Sequence, residues 1–122
     1  SIETPAREDS CMRIKQRTSG PVVILDLDGR MTRNDGFGTV KAAVAPLLKQ
    51  GHSQLLLNMA NVTYMDSTGI GELVSVFITT RNNHGKLKLV NLTDRMRELF
   101  EVAKLVHVFE VFDDEADALQ SF

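Results

Sequence analysis

The sequence predicts an α/β domain with a mostly parallel sheet of about five strands and about four helices. Three observations support this fold class. Short β-branched or apolar runs alternate along the chain with segments whose apolar residues recur at helical spacing. A Gly20-Pro21 turn joins the first two runs, so the first strand is expected to form an antiparallel hairpin with the second. At 122 residues, with 43% hydrophobic and 25% charged residues, the chain resembles one globular domain that can bury a core.

The predicted elements follow one another in the order β-β-α-β-α-β-α-β-α. Apolar alternation or continuous apolar runs predict strands over 12–18, 22–28, 54–59, 86–92 and 106–112. Helical periodicity predicts helices over 39–50, 69–83, from Thr93 or Asp94 to Ala103, and 113–122. Pro46 lies inside the first helical pattern, so a bend or irregular early turns are expected there, and Gly51 ends the helix.

The N-terminal residues, the net charge and the cysteine content indicate how the chain is organised and where in the cell it is expected. Residues 1–11 are polar and lack periodicity, which predicts a disordered or added tail before a domain over 12–122. The net charge of −2 shows no excess of basic residues, so nucleic acid is not an expected partner. The single cysteine, Cys11, cannot form a disulfide within the chain and fits a reducing compartment. With no long apolar run and no leader, the expectation is a cytoplasmic protein without a membrane partner.

Several residues that resemble ligands or interaction sites are expected to be structural. No metal-ligand spacing is present, so three histidines are expected in loops or on the surface: His52, His84 and His107. Three methionines are expected to fill the core: Met59, Met65 and Met96. The acidic run over 113–115 is expected to be a solvated helix start, and Lys86 and Lys88 to form the outward face of a strand.

The segment "YMDSTGIGELVSVF" over 64–77 stands between a predicted strand and a helix, where parallel sheets carry functional loops. Asp66 or Ser67 could cap the helix, with Gly69 making a tight turn. Asp66 could instead act as an aspartic-protease acid, although the doubled hydroxyl displaces the glycine and a second carboxylate is required. Backbone N–H groups of Gly69-Ile70-Gly71 could bind phosphate at the helix N-terminus, although the lysine of a Walker motif is missing. Finally, Ser67 could accept a phosphoryl group whose charge the helix dipole partly meets.

Two longer stretches resemble the STAS domain family, and specifically its stand-alone bacterial anti-sigma-factor antagonists. They are "NVTYMDSTGIGELV" and "GKLKLVNLTDRMRELFEVAKL", and the resemblance runs from about Met12 to the C-terminus. It implies a STAS fold and a protein that is not an enzyme and holds no cofactor or metal. In that family the serine after the aspartate, here Ser67, is phosphorylated by a partner that is both anti-sigma factor and serine kinase.

The resemblance also implies a partner-switching mechanism. The unphosphorylated antagonist binds the kinase and frees a sigma factor, so regulating transcription. Phosphorylation abolishes binding, and a PP2C-type phosphatase restores it, while ATP and Mg²⁺ belong to the kinase. A weak homodimer is left open. The implied partner-binding residues are Asp66, Ser67, Thr68, Gly69, Ile70, Gly71, Arg30 and Thr32.

The sequence departs from the family pattern at two places. The family usually shows Leu-x-Gly-Glu-Leu-Asp after the second strand, whereas here Arg30 and Thr32 replace the two acids, with Asp28 or Asp35 as candidate substitutes. Lys104 stands where glycine is usual after the third helix, so that helix is expected to end differently. The first departure favours an alternative function, a STAS scaffold or ligand-binding subunit of a larger regulatory assembly that is not phosphorylated.

Overall fold

The structure, a computed structural model, describes residues 12–122, so the predicted tail over 1–11 and Cys11 lie outside the described residues. The strands are β1 Arg13–Ser19, β2 Val22–Met31, β3 Gln54–Met65, β4 Lys86–Val90 and β5 Val111–Phe112. The helices are α1 Thr39–Lys49, α2 Ser67–Asn82, α3 Asp94–Val102 and α4 Glu115–Gln120, with a 3₁₀ turn over Leu105–His107. The predicted order of strands and helices is confirmed, with the 3₁₀ turn as an addition.

The strands form one mixed sheet in the order β1-β2-β3-β4-β5. β1 pairs with β2 in the predicted antiparallel hairpin, and the remaining neighbours are parallel. The predicted fold class is therefore confirmed. Because β2 and β3 are parallel, their carboxyl ends lie at the same edge of the sheet, where the loop after β2 meets the start of α2.

The core occupies both faces of the sheet. Alternate residues of the central strands pack on one side against the buried faces of α1, α2 and α3, as period-2 side-chain geometry requires. The other side is covered by α4, where Ala118 packs among Ile24, Leu56 and Val90. The three methionines predicted as core are almost completely inaccessible: Met59, Met65 and Met96.

Two predicted strand boundaries were wrong by five residues or more, and β2 ends at Met31 rather than at residue 28. The strand predicted over 106–112 contains only Val111–Phe112, because the preceding residues turn into a 3₁₀ helix with Val108 N and Phe109 N donating to Leu105 O. Its apolar pattern reflects a buried Phe109 between partly exposed valines. β3 runs on to Met65, well beyond the predicted end at residue 59, since its second half continues to pair with β2.

Lys88 does not lie on an outward face as predicted, whereas Lys86 does. Lys88 is only 3% exposed because α4 and the residues after it cover that side of β4. Its Nζ donates to Ser121 O at 2.8 Å and Ser121 Oγ at 2.9 Å, and Glu110 Oε2 lies 3.4 Å away. The lysine therefore buries its stem and fastens the C-terminal turn to the sheet.

Two further expectations concern helices, namely the effect of Pro46 inside α1 and the way in which α3 ends at Lys104. α1 continues through Pro46 as one helix. Lys104 follows α3 with φ 59° and ψ 32°, the left-handed conformation that glycine adopts with least strain. The expectation that α3 ends differently without glycine was therefore wrong: the lysine adopts the left-handed geometry, at a cost of about 1–2 kcal/mol for a residue with a Cβ.

An ion-pair cluster joins β1, β2 and α4. Arg17 donates to both carboxylate oxygens of Asp26, at 2.6 and 2.8 Å, and to both of Glu115, at 2.8 and 3.2 Å. Asn58 donates to Asp26 at 2.8 Å from β3. The hydrogen bonds from Arg17, followed by the one from Asn58, hold the pKa of Asp26 below its usual value of 3.8.

We expect the Asp26→Asn substitution to lower the free energy of unfolding at pH 7 by about 1–2 kcal/mol, because it removes a charge-assisted acceptor. Asp26 has a lower pKa folded than unfolded, so its contribution is present above the unfolded pKa and is lost as pH falls through the folded one. Below about pH 4 the difference from wild type should therefore shrink. Urea unfolding between pH 7 and pH 2 measures it, with exposed Asp28→Asn as the control. A difference that stays constant down to pH 2 would contradict this assignment.

Candidate functional site

The junction between β3 and α2 contains a single linking residue, Asp66. β3 ends at Met65 and α2 begins at Ser67, two residues before its predicted start. Asp66 is extended, with φ −103° and ψ −175°, and its Oδ1 accepts a hydrogen bond from Gly69 N at 3.0 Å. Asp66 therefore caps α2, which confirms the capping interpretation and assigns that role to the aspartate rather than to Ser67.

Asp66 also binds the loop over 32–38 that follows β2. Its Oδ2 accepts from Arg33 N at 3.1 Å, and its own N–H donates to Met31 O at 3.2 Å. The hydrogen bonds from Gly69 N and Arg33 N lower the pKa of Asp66, so the carboxylate is ionised at neutral pH. An aspartic-protease acid shares a proton with a second carboxylate, whereas both oxygens of Asp66 accept backbone N–H groups. The geometry does not fit the protease interpretation.

Ser67 and Gly71 are exposed and lie one turn apart on the same face of α2. Thr68 and Ile70 between them are half-buried, and Gly69 is buried. The N–H of Gly69 already donates to Asp66, so an anion at this turn would compete with a fixed carboxylate. This contact disfavours the phosphate-binding interpretation and leaves the Ser67 hydroxyl as the exposed reactive group of the junction.

The two glycines of the segment have opposite surroundings. A Cβ on Gly69 would stand 2.1 Å from Met31 O and 2.8 Å from Met65 Cγ, so α2 approaches the ends of β2 and β3 too closely for any side chain. A Cβ on Gly71 would meet nothing within 4 Å. Gly69 therefore serves packing, while Gly71 leaves the surface beside Ser67 open.

Arg30 and Thr32 lie beside this junction, on the last residues of β2 and the loop over 32–38. Thr32 closes a turn with Asp35, donating its N–H to Asp35 O at 2.8 Å and accepting from Asp35 N at 3.0 Å. Arg30 is half-exposed and its guanidinium lies 3.3 Å from Asp35 Oδ2. Because Arg33 N donates to Asp66, this polar loop lies next to the cap of the Ser67 helix. Asp35 is thus engaged with Arg30, while Asp28 remains exposed on β2.

Glu72 is a site residue that the sequence analysis did not identify. It is 5% exposed, and its carboxylate accepts from Gly38 N at 2.7 Å, Val40 N at 3.1 Å and Lys41 N at 3.2 Å. Gly38 offers no side chain to cap α1, so Glu72 caps that helix from α2. An acidic residue beside Leu73 on the inward side of a helix was the available signal, since a buried charge requires partners.

The remaining candidate ligands do not gather into a site. All three histidines are exposed: His52, His84 and His107. Within residues 12–122, no cluster of three or more histidine, cysteine, aspartate or glutamate residues could hold a metal ion. In the same part of the chain, no helix has the length and apolarity needed to cross a membrane.

A family model for the STAS domain matches residues 13–118. The chain belongs to the STAS domain family. Curated relatives include the anti-sigma-B factor antagonist of Bacillus subtilis, which is 35% identical over 59% of this chain and 65% of its own length. The match therefore spans slightly less than two thirds of that relative. The anti-sigma-B factor antagonist of Listeria monocytogenes is 32% identical over 66% of this chain and 77% of its own length.

Solved structures confirm the STAS fold of this chain. A crystal structure described as an anti-sigma factor antagonist candidate from Thermotoga maritima superposes with a TM-score of 0.81 at 18% identity, covering 88% of this chain and 92% of its own. The anti-sigma factor antagonist SpoIIAA in its unphosphorylated form gives a TM-score of 0.65 at 18% identity, covering 90% and 96%. Its phosphorylated form gives 0.67 at 19% identity, covering 90% and 97%.

Proposed function

We propose that this STAS domain is an anti-sigma-factor antagonist, which binds an anti-sigma factor and thereby frees a sigma factor for transcription. The names of the curated relatives support this function. The observation that carries it is the position of Ser67. Its hydroxyl is exposed in the first turn of α2, directly after the ionised cap Asp66 and beside the open Gly71.

We further propose that the anti-sigma factor is a serine kinase that phosphorylates Ser67 and so ends the interaction. The fold can tolerate this modification, since Asp66 rather than Ser67 caps α2 and the capping bond to Gly69 N does not involve the Ser67 hydroxyl. The helix N-terminus favours the added negative charge, although Asp66 repels it at short range. Thr68 is half-buried and is a poorer acceptor.

The proposed partner surface combines the start of α2 with the end of β2. Its members are Asp66, Ser67, Thr68, Gly69, Ile70, Gly71, Arg30 and Thr32. Gly69 acts by setting the position of the helix, while the exposed Ser67 and Gly71 contact the partner. Arg30 stands where the family usually has an acid, and its guanidinium is paired with Asp35. The exposed Arg33 of the adjoining loop adds a positive charge, so the partner is expected to present an acidic group there.

The protein itself has no catalytic role in this proposal. ATP and Mg²⁺ belong to the kinase, and a PP2C-type phosphatase removes the phosphoryl group in the cytoplasm. Asp66, the one acid at the centre of the site, has both oxygens bound to backbone N–H groups. Self-association into a weak homodimer is compatible with the proposal but is not required by it.

Incubation with the cognate anti-sigma factor kinase and Mg-ATP should add one phosphoryl group, on Ser67, and peptide mass mapping identifies the position. The Ser67→Ala variant should not be modified and should keep its melting temperature, because it does not supply the cap. Thr68→Ala is the matched control and should be modified like wild type. Phosphate on Thr68 alone, or none in the presence of a kinase that binds, would contradict the assignment of Ser67. The second of these results would favour the unphosphorylated scaffold function that the Arg30 and Thr32 departures suggest.

A further inference from the structure

Phe37 exposes a large apolar side chain on a loop that is hydrogen-bonded to Asp66 and Glu72 of the α2 region. It lies in the loop over 32–38 and is 62% exposed, more than any other aromatic residue among those described. An exposed phenylalanine contributes nothing to the core, and solvent contact with so much apolar area is unfavourable. The same side chain is favourable when a partner covers it, and aromatic residues are enriched where interfaces gain most of their binding energy.

The glycines on either side hold Phe37 in this exposed position. Gly36 has φ +73°, and a Cβ there would stand 2.5 Å from Arg30 O and 2.9 Å from Met12 Cβ, so the backbone lies directly against the end of β2. Gly38 has φ +84°, and its N–H donates to the buried carboxylate of Glu72 at 2.7 Å. The loop is therefore anchored on both sides of Phe37, and little backbone entropy remains to be lost when a partner binds.

The loop that carries Phe37 is fixed against α2, the helix that carries Ser67. It is hydrogen-bonded to α2 twice, through Arg33 N to Asp66 and through Gly38 N to Glu72. In the sequence these two acceptors come directly before Ser67 and directly after Gly71. A partner that covers the start of α2 can therefore also reach this loop, where exposed Arg33 offers a polar rim beside Phe37.

We infer that Phe37 is the aromatic anchor through which the anti-sigma factor binds, an inference that rests on the proposed function. Phe37 enters an apolar pocket of the partner while the partner's backbone passes over Gly71, where no side chain obstructs it. Acidic groups around that pocket face the exposed Arg33. Phosphorylation of Ser67 then acts at the opposite border of the same contact.

Calorimetric titration of the anti-sigma factor against full-length wild type and Phe37→Ala tests this inference. Phe37→Ala should weaken binding at least about 30-fold, the loss typical of an interface hot spot. Its melting temperature should stay at the wild-type value, since the side chain is exposed. Phe37→Tyr should restore most of the affinity. Val102→Ala, at an 82% exposed apolar position at the end of α3, is the matched control and should bind like wild type.

The alternative outcomes distinguish an error in the role of Phe37 from an error in the proposed function. Wild-type affinity in Phe37→Ala would remove Phe37 from the contact and leave the proposed function intact. Loss of self-association in Phe37→Ala, with unchanged affinity for the anti-sigma factor, would assign Phe37 to a second copy of the chain. A melting temperature lowered by several degrees would mean that the chain itself covers Phe37. Failure of wild type to bind any anti-sigma factor would overturn the proposed function and this inference with it.

Discussion

The Gly69→Ala variant should lose at least about 3 kcal/mol of its free energy of unfolding, more than overpacking usually costs. The added Cβ would stand 2.1 Å from Met31 O, a backbone atom that cannot rotate away. Relieving the clash requires α2 to move off the sheet. That movement would break the hydrogen bond from Asp66 N to Met31 O and strain the cap of the helix. Urea unfolding of the purified variant measures the loss, and failure to fold at all would be the extreme form of it.

Gly71→Ala is the matched control for this substitution. It lies two residues further along the same helix and has nothing within 4 Å of its added Cβ. Alanine in place of glycine inside a helix is favourable by up to about 1 kcal/mol, so Gly71→Ala should be as stable as wild type or more so. Equal destabilisation of the two variants would show that the close approach at Gly69 is not what distinguishes them.

Phosphorylation of Ser67 should weaken binding to the anti-sigma factor by about 30- to 1000-fold, equivalent to about 2–4 kcal/mol. The modification places an anion where an exposed neutral hydroxyl would pack against the partner. An unpaired charge in an interface is costly, and Asp66 next to it adds like-charge repulsion. Asp66 cannot relieve this by protonation at neutral pH, because hydrogen bonds from Gly69 N and Arg33 N lower its pKa. Ser67→Glu should imitate the effect in part, having one charge and a different shape.

The predictions about the fold succeeded where periodicity and order along the chain carried the information. The alternation of strands and helices predicted the sheet, and the Gly20-Pro21 turn predicted its hairpin. The pattern over 106–112 failed because alternating apolar residues do not distinguish a strand from a turn with one buried aromatic side chain, here Phe109. The prediction that Lys88 lies on an outward face of β4 failed for a related reason. Alternation separates the two faces of β4 without telling which of them another element, in this case α4, covers.

The site was predictable as a segment of chain but not as a surface. The "MDSTGIG" motif predicted a helix cap at Asp66 or Ser67 and an exposed hydroxyl at the helix start, because both depend on local sequence, and the structure assigned the cap to Asp66. Gly69 and Gly71 look equivalent in the sequence, and only the approach of Met31 separates them. Glu72 acquires its capping role from contacts between α2 and the region that begins α1, more than thirty residues apart in the chain, and one of these contacts also fixes the loop that exposes Phe37. No local pattern encodes such contacts.

Titration calorimetry of the anti-sigma factor against three forms of the protein tests the central claim most directly. The forms are unmodified wild type, Ser67→Glu and phosphorylated Ser67. We predict that affinity falls in that order while the three melting temperatures remain nearly the same, because Asp66 retains the cap of α2. Equal affinities of all three forms would place Ser67 outside the contact and contradict the phosphorylation switch.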